Sequence, residues 1–102
     1  MAGFLWPPMA GWLHSGTRRD ACALLYEAGE FRGQQLKAAL EAHYDLRLDP
    51  RRFYGVLDRL VESGHVERRT EGVHDVYALT DRGERGVREQ YAWLTARVES
   101  ET

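Results

Sequence analysis

Cysteine, proline and lysine are all scarce in this sequence: Cys22 and Lys37 stand alone, and the prolines are Pro7, Pro8 and Pro50. One cysteine excludes an intrachain disulfide and fits a reducing compartment. No apolar run approaches the ~20 residues that span a bilayer, so no membrane partner is expected. The apolar start Met1–Gly16 carries Pro7 and Pro8 and lacks a basic n-region, which makes a poor export signal. A cytoplasmic location is therefore expected. There is no nucleophile elbow, no glycine-rich phosphate loop and no catalytic carboxylate pair, so nothing calls for an enzyme. His14, His43, His65 and His74 show no paired metal-ligand spacing and have no second cysteine to join them, so neither a metal nor a cofactor is expected.

A strong excess of positive charge is missing too. The net charge is −2, which excludes a basic coat over the whole surface. Its distribution is uneven. Residues 16–69 hold ten Lys/Arg against nine Asp/Glu (net +1), whereas residues 70–102 hold four against seven (net −3). Any surface that attracts a polyanion must therefore be local and lie in the first two thirds. Thirteen of the fourteen basic residues are arginine. Arginine offers the planar fork that pairs with phosphate or guanine, although genome composition or a salt-rich cytoplasm produces the same bias.

Periodicity predicts mainly helical structure with a small β-hairpin. A first helix is expected over Thr17–Ala28, capped by Thr17 with Asp20 at the third position, and with Ala21, Leu24, Leu25 and Ala28 inward. A second is expected over Gly33–Tyr44, with Leu36, Ala39, Leu40 and His43 inward. Glu30-Phe31-Arg32-Gly33 before it reads as a turn or a short strand. The third begins with Asp49 as N-cap and Pro50 at the first helical position, and ends at Gly64. Phe53, Val56, Leu57, Leu60 and Val61 form its buried stripe, while Arg51, Arg52, Gly55, Asp58, Arg59 and Glu62 lie outside. Gly55 costs such a helix ~1 kcal/mol relative to alanine. His65–Thr70 and Val73–Leu79 read as paired strands about a Glu71-Gly72 turn, with the register open by a residue or two. Thr80-Asp81 then caps a last helix to about Glu99. In that helix Val87, Tyr91, Leu94 and Val98 repeat at intervals of four, three and four, the spacing of a heptad seam. The stripe is matched by a symmetric homodimer, or by folding back onto the first helix and the N-terminal arm. Trp6 and Trp12 in that arm pack onto the domain or a second subunit, or sit on a free arm.

The run Leu48-Asp49-Pro50-Arg51-Arg52-Phe53-Tyr54-Gly55-Val56-Leu57 resembles the "L-S-P-G-T-L-Y-x-x-L" signature of PadR-like winged-helix transcriptional regulators. Arg59-Leu60 with Gly64-His65-Val66 is similar to that family's "R-L-x-x-x-G-L-V", and Tyr77-Ala78-Leu79-Thr80-Asp81-Arg82-Gly83 to its "Y-x-L-T-x-x-G". The resemblance covers about residues 17–90. Arg51-Arg52 stands where the family often has Gly-Thr. The resemblance implies a winged helix-turn-helix with a C-terminal dimerisation helix, of the short archaeal type found in salt-adapted organisms. The division it implies is an N-terminal arm (1–16), a DNA-binding domain (17–80) and a dimerisation helix (81–102).

A homodimeric regulator on a partly palindromic stretch of double-stranded DNA is the expected function. Arg51 and Arg52, in the first turn of the third helix, are placed to meet base edges, with Tyr54 contacting phosphate or bracing the helix. Arg32, Gln34 and Gln35 at the start of the second helix would meet phosphate, and Arg68, Arg69 and His74 would serve the wing. For each arginine the alternative is a solvated surface charge. Trp6, Trp12, Val87, Tyr91, Leu94 and Val98 are the expected dimer contacts. Cys22 is read as a small buried hydrophobe, or else as a redox thiol. A winged-helix protein-interaction module without its own operator is the other functional reading. No small-molecule effector is legible.

Overall fold

A computed structural model describes residues 16–100. The N-terminal arm with Trp6 and Trp12 lies outside the described residues. The chain order is α1 (Gly16–Ala28), β1 (Phe31–Arg32), α2 (Gly33–Tyr44), α3 (Pro50–Glu62), β2 (Val66–Glu71), β3 (His74–Leu79) and α4 (Asp81–Glu99). The strands form one antiparallel sheet in the order β1-β3-β2.

Apolar spacing decides how the helices pack. Ala21, Cys22 and Leu25 of α1, Leu36 and Leu40 of α2, and Phe53, Leu57 and Leu60 of α3 close one core with Val66 and Tyr77 of the sheet. Leu24, Val56 and Val61 pack against it partly buried. Two expected inward residues are exposed: Ala28 lies at the end of α1 and His43 on the solvent face of α2. Both stand in the last turn of their helix, where the apolar stripe has already run past the partner elements. Thr17 is already inside α1, which begins at Gly16, so it does not cap the helix. Nor does Asp20 turn back to the backbone. It accepts a hydrogen bond from Tyr44 Oη at 2.5 Å and ties α1 to the end of α2.

Helix α3 follows its local signals closely. The Asp49 carboxylate accepts from the Arg52 N–H at 3.0 Å, and Pro50 opens the helix. At the other end Gly64 takes φ +82°. The Gly64 N–H donates to Val61 O and the His65 N–H to Leu60 O, both at 3.0 Å. This is the paired closure that a left-handed residue after a helix permits. The approach to α3 is fixed by Glu41 of α2, whose carboxylate accepts from Lys37 Nζ at 2.8 Å and from the Leu48 N–H at 2.9 Å. Those two hydrogen bonds, Lys37's first, hold the Glu41 carboxyl below its ordinary range.

The structure fixes the hairpin register that the sequence leaves open. Glu71 pairs with His74, so Gly72-Val73 forms the turn and His65 falls outside the strand. Gly72 has φ +62° and Val73 does not share the positive φ. A positive φ at the first central residue alone is the type II′ pattern, whose twist suits a hairpin. Glu71 lacks the glycine needed to occupy that corner.

The start of α4 is locked onto the end of α3. Thr80 Oγ1 accepts from the Gly83 N–H at 3.1 Å and donates to Gly64 O at 2.5 Å. The Thr80 N–H donates to His65 O at 3.0 Å. A Cβ on Gly83 would lie 2.1 Å from His65 O, so only glycine lets the two backbones meet. His65 itself is buried. Arg82 Nε donates to His65 Nε2 at 3.4 Å, and His65 Nδ1 lies 2.7 Å from Ser63 Oγ, which donates to Leu60 O at 3.2 Å. Taken together these bonds assign the neutral tautomer with its proton on Nδ1. Burial first, and the Arg82 charge second, lower the His65 pKa.

Candidate nucleic-acid interface

The exposed side of the molecule is built from the start of α2, the outer face of α3 and the hairpin. Arg51 and Arg52 are both exposed in the first turn of α3. They line an open cleft of about 580 Å³ together with Arg18, Asp49, Gly55, Val56 and Arg59. Arg51, Gly55 and Arg59 succeed one another at intervals of four, which stacks them in one column along the helix.

A second groove, of about 470 Å³, brings together Arg32 of β1, Gln34 and Gln35 of α2, Tyr54 of α3 and His74 of the hairpin, with Asp75 and Tyr77 beside them. Five of the sequence-predicted residues thus share one depression. Tyr54 is positioned by two neighbours. Its ring lies edge-on to Phe53, 5.0 Å between centroids, and covers Gly33, where any Cβ would come within 2.9 Å of Tyr54 Cε1. The side chain therefore braces α3 against the first turn of α2. Gln35 Oε1 accepts from the Arg32 N–H at 3.0 Å, which closes the helix start and orients the glutamine.

The hairpin arginines are engaged within the chain. Arg68 Nη1 donates to Asp58 Oδ1 of α3 at 3.1 Å. Hydrogen bonds to Tyr77 and to Asp58 raise its pKa further. Arg69 Nη2 bonds Glu30 at 2.9 Å and Glu71 at 2.6 Å, and those contacts raise its pKa. Adjacent residues of a strand face opposite sides, so Arg68 serves the helix side of the sheet and Arg69 the outer side. On that outer side Val76 is buried, although it stands apart from the main core. Its register partners are Arg32 and Arg69, whose aliphatic stems flank it. In the sequence Glu30 reads as a surface charge near Arg32, and nothing marks Asp58 or Glu71 as a partner of the hairpin arginines. Pairings across 39 and 10 positions of chain leave no local signal.

Helix α4 divides. Val87 packs against the chain's own core, and Arg88 Nε donates to Tyr26 Oη of α1 at 2.9 Å. Beyond that point Tyr91 (71%), Leu94 (50%) and Val98 (64%) are exposed, and so is Trp93, with the Arg97 guanidinium 4.5 Å above its ring. Cys22 is buried in the core, and that burial pushes its thiol up to about 12. At neutral pH it carries no thiolate, so a redox role for it finds no support. No helix among the described residues is long and apolar enough to cross a membrane.

Three helices with a hairpin after the third, the hairpin flanking the third helix's exposed face, define a winged helix-turn-helix. Solved structures with the same arrangement include RosR of H. salinarum, 27% identical, with a TM-score of 0.79 over 81% of this chain and 76% of that one. A cysteine-to-serine mutant of MarR from E. coli complexed with operator DNA is 19% identical, with a TM-score of 0.73 over 92% of this chain and 66% of that one. AntR, an antimony-specific transcriptional repressor, is 20% identical, with a TM-score of 0.71 over 91% of this chain and 77% of that one. No family model and no curated protein matches the chain.

Proposed function

We propose that this chain is a sequence-specific DNA-binding transcription regulator, without enzymatic activity, that acts in the cytoplasm as a homodimer on a partly palindromic operator. The observation that carries the reading is the pair Arg51-Arg52, exposed in the capped first turn of α3 beside the groove of Arg32, Gln34, Gln35, Tyr54 and His74. In a winged helix the start of the third helix enters the major groove, where an arginine fork pairs with guanine O6 and N7. Each such pair contributes about 1–3 kcal/mol of discrimination. The first turn of α2 offers backbone N–H groups and the Arg32, Gln34 and Gln35 side chains to a phosphate. On the hairpin, His74 lines the groove, while Arg68 pairs with Asp58 and Arg69 is shared by Glu30 and Glu71. The one-to-one pair leaves Asp58, on the exposed face of α3, without net charge towards a polyanion. The likeness to RosR, to an operator-bound MarR and to the repressor AntR supports the same reading.

Residues 17–80 form the DNA-binding unit in this proposal and residues 81–102 the dimerisation helix, with the arm 1–16 joining the dimer. Exposed Tyr91, Leu94 and Val98 support the second assignment. The motif Leu48–Leu57 supports a place among the PadR-like regulators.

The test replaces Arg51 and Arg52 together by alanine. Selective retention of a duplex enriched by the wild-type protein should fall about 100-fold, with mass by light scattering unchanged. An identical footprint from the double variant would overturn the assignment. Binding of the wild type should also weaken steeply with salt, log K falling by about 0.9 per log unit for every phosphate contacted. A flat salt response would favour the protein-interaction module instead.

A further inference from the structure

Gly55 sits in the middle of α3, and nothing among the described residues requires a glycine there. Its φ is an ordinary helical value, since the positive-φ glycines are Gly29, Gly64 and Gly72. A Cβ built on it meets no atom within 4 Å. A residue that weakens the helix while sparing no internal clash leaves room for something outside.

What surrounds the gap says what that is. Arg51 precedes Gly55 by one turn and Arg59 follows by one turn, while Arg52 and, from α1, Arg18 stand at the sides of the same cleft. Four arginines against one carboxylate, Asp49, give the lining a formal charge of +3. That carboxylate is turned to the Arg52 N–H as the helix cap. The next carboxylate along α3, Asp58, is neutralised by Arg68. The face is therefore basic on both sides of an uncovered stretch of helix backbone, in a protein whose net charge is −2.

We propose that Gly55 is the point of closest approach of duplex DNA to α3, and that Arg18 and Arg59 hold the sugar-phosphate backbone on either side of it. This inference rests on the DNA-binding reading above and extends it to three residues with different roles. Gly55 sets how deeply α3 seats and hence specificity. Arg18 and Arg59 supply phosphate contacts from α1 and from the third turn of α3. One absent methyl group makes the difference, because a Cβ at this position would stand between the helix backbone and the groove wall.

The experiment uses the full chain and a duplex enriched by the wild-type protein from a randomised pool. Gly55→Ala should raise the thermal midpoint by about 4 °C, since alanine favours the helix, and yet weaken binding of the enriched duplex at least about tenfold. A purely structural glycine would not move stability and affinity in opposite directions. Arg18→Gln and Arg59→Gln should each lower the salt slope by about 1 while changing preference among sequences little. Gly55→Ala binding within twofold of wild type, or unchanged slopes for both arginine variants, would overturn the inference and leave the DNA-binding reading standing. Inorganic phosphate serves as the competing probe. Its saturable retention by the wild type, lost in the arginine variants without effect on duplex binding, would assign the cleft to a small anion and equally overturn the proposal. If the wild type enriches no duplex, the DNA-binding reading falls and takes this one with it.

Discussion

Over its first two turns α4 is held by Thr80, Gly83, Val87 and Arg88, which bind it to the end of α3, to the core and to α1. Over its last two turns it shows Tyr91, Trp93, Leu94 and Val98 to solvent. The sequence pattern runs through both halves without a break, so periodicity alone does not distinguish them. Packing does. Among the described residues the domain covers only the first half, and the same apolar stripe that completes the core there is exposed further on. A stripe of this kind is commonly satisfied by a copy of itself across a two-fold axis, which is why the second half carries the dimer proposal and the first half does not.

Several substitutions would break or sharpen that contrast. The largest effect is expected from Gly83→Ala in the anchored half. The new methyl would meet His65 O at 2.1 Å, and overpacking against backbone costs about 3 kcal/mol or more. Chemical denaturation should show a midpoint far below wild type; an unchanged midpoint would mean that α4 is not seated on His65. Next comes Leu94→Glu in the free half. If α4 pairs as proposed, two leucines leave the symmetric interface at a cost of about 3–5 kcal/mol, and the sedimentation coefficient should shift towards that of the monomer with the helical circular dichroism signal retained. A species that remains dimeric would place the interface elsewhere. Thr80→Ala removes the cap and should cost about 1–2 kcal/mol, read by thermal melting. A melt identical to wild type would show that Gly64 and Gly83 find other partners.

The smallest effect concerns His65, at the joint between α3 and α4. Its folded pKa lies below the ordinary value of 6.5. The unfolded chain therefore takes up the proton first as pH falls. The stabilising contribution is fully present above about pH 6.5 and declines as pH drops from there through the folded pKa. Melting between pH 7.5 and 5.5 should show this decline in the wild type, and His65→Gln should flatten it. Equal slopes in the two proteins would argue against a neutral buried imidazole.

Much of the architecture was written in local signals. Asp49 and Pro50 start α3, Gly64 ends it, and the 3.6-residue spacing of Phe53, Leu57 and Leu60 picks its buried face. Where the prediction slipped, the deciding interaction was distant in sequence or resolved only by geometry. Asp20 reads as half of a capping box, yet Tyr44 lies 24 positions away and takes its carboxylate. Glu71-Gly72 and Gly72-Val73 both read as turns, and only the demand for a positive φ at the first corner selects the second. Within the candidate interface Arg32, Gln34 and Gln35 share one groove with Tyr54 and His74, whereas Arg68 and Arg69 do not line it. The ion pairs that occupy Arg68 and Arg69 are invisible in the sequence because charge spacing on a strand does not say which carboxylate folds back to meet it. Arg18 carries no such signal in the sequence, because it belongs to a helix whose relation to α3 is fixed only by the core.

The joint between Ser63 and Gly83 gives α4 the character of a lever. Three hydrogen bonds, from the Thr80 N–H, Thr80 Oγ1 and Arg82 Nε to His65 O, Gly64 O and His65 Nε2, leave it little freedom to swivel where it meets α3. A helix of 19 residues is about 28 Å long. Tilting it by one degree at the joint displaces its far end by about 0.5 Å by the same geometry. If two such levers are clamped together at their tips, the separation of the two arginine-bearing helices is set by the angle at this knot, and a small adjustment there would retune the distance between them without altering either surface.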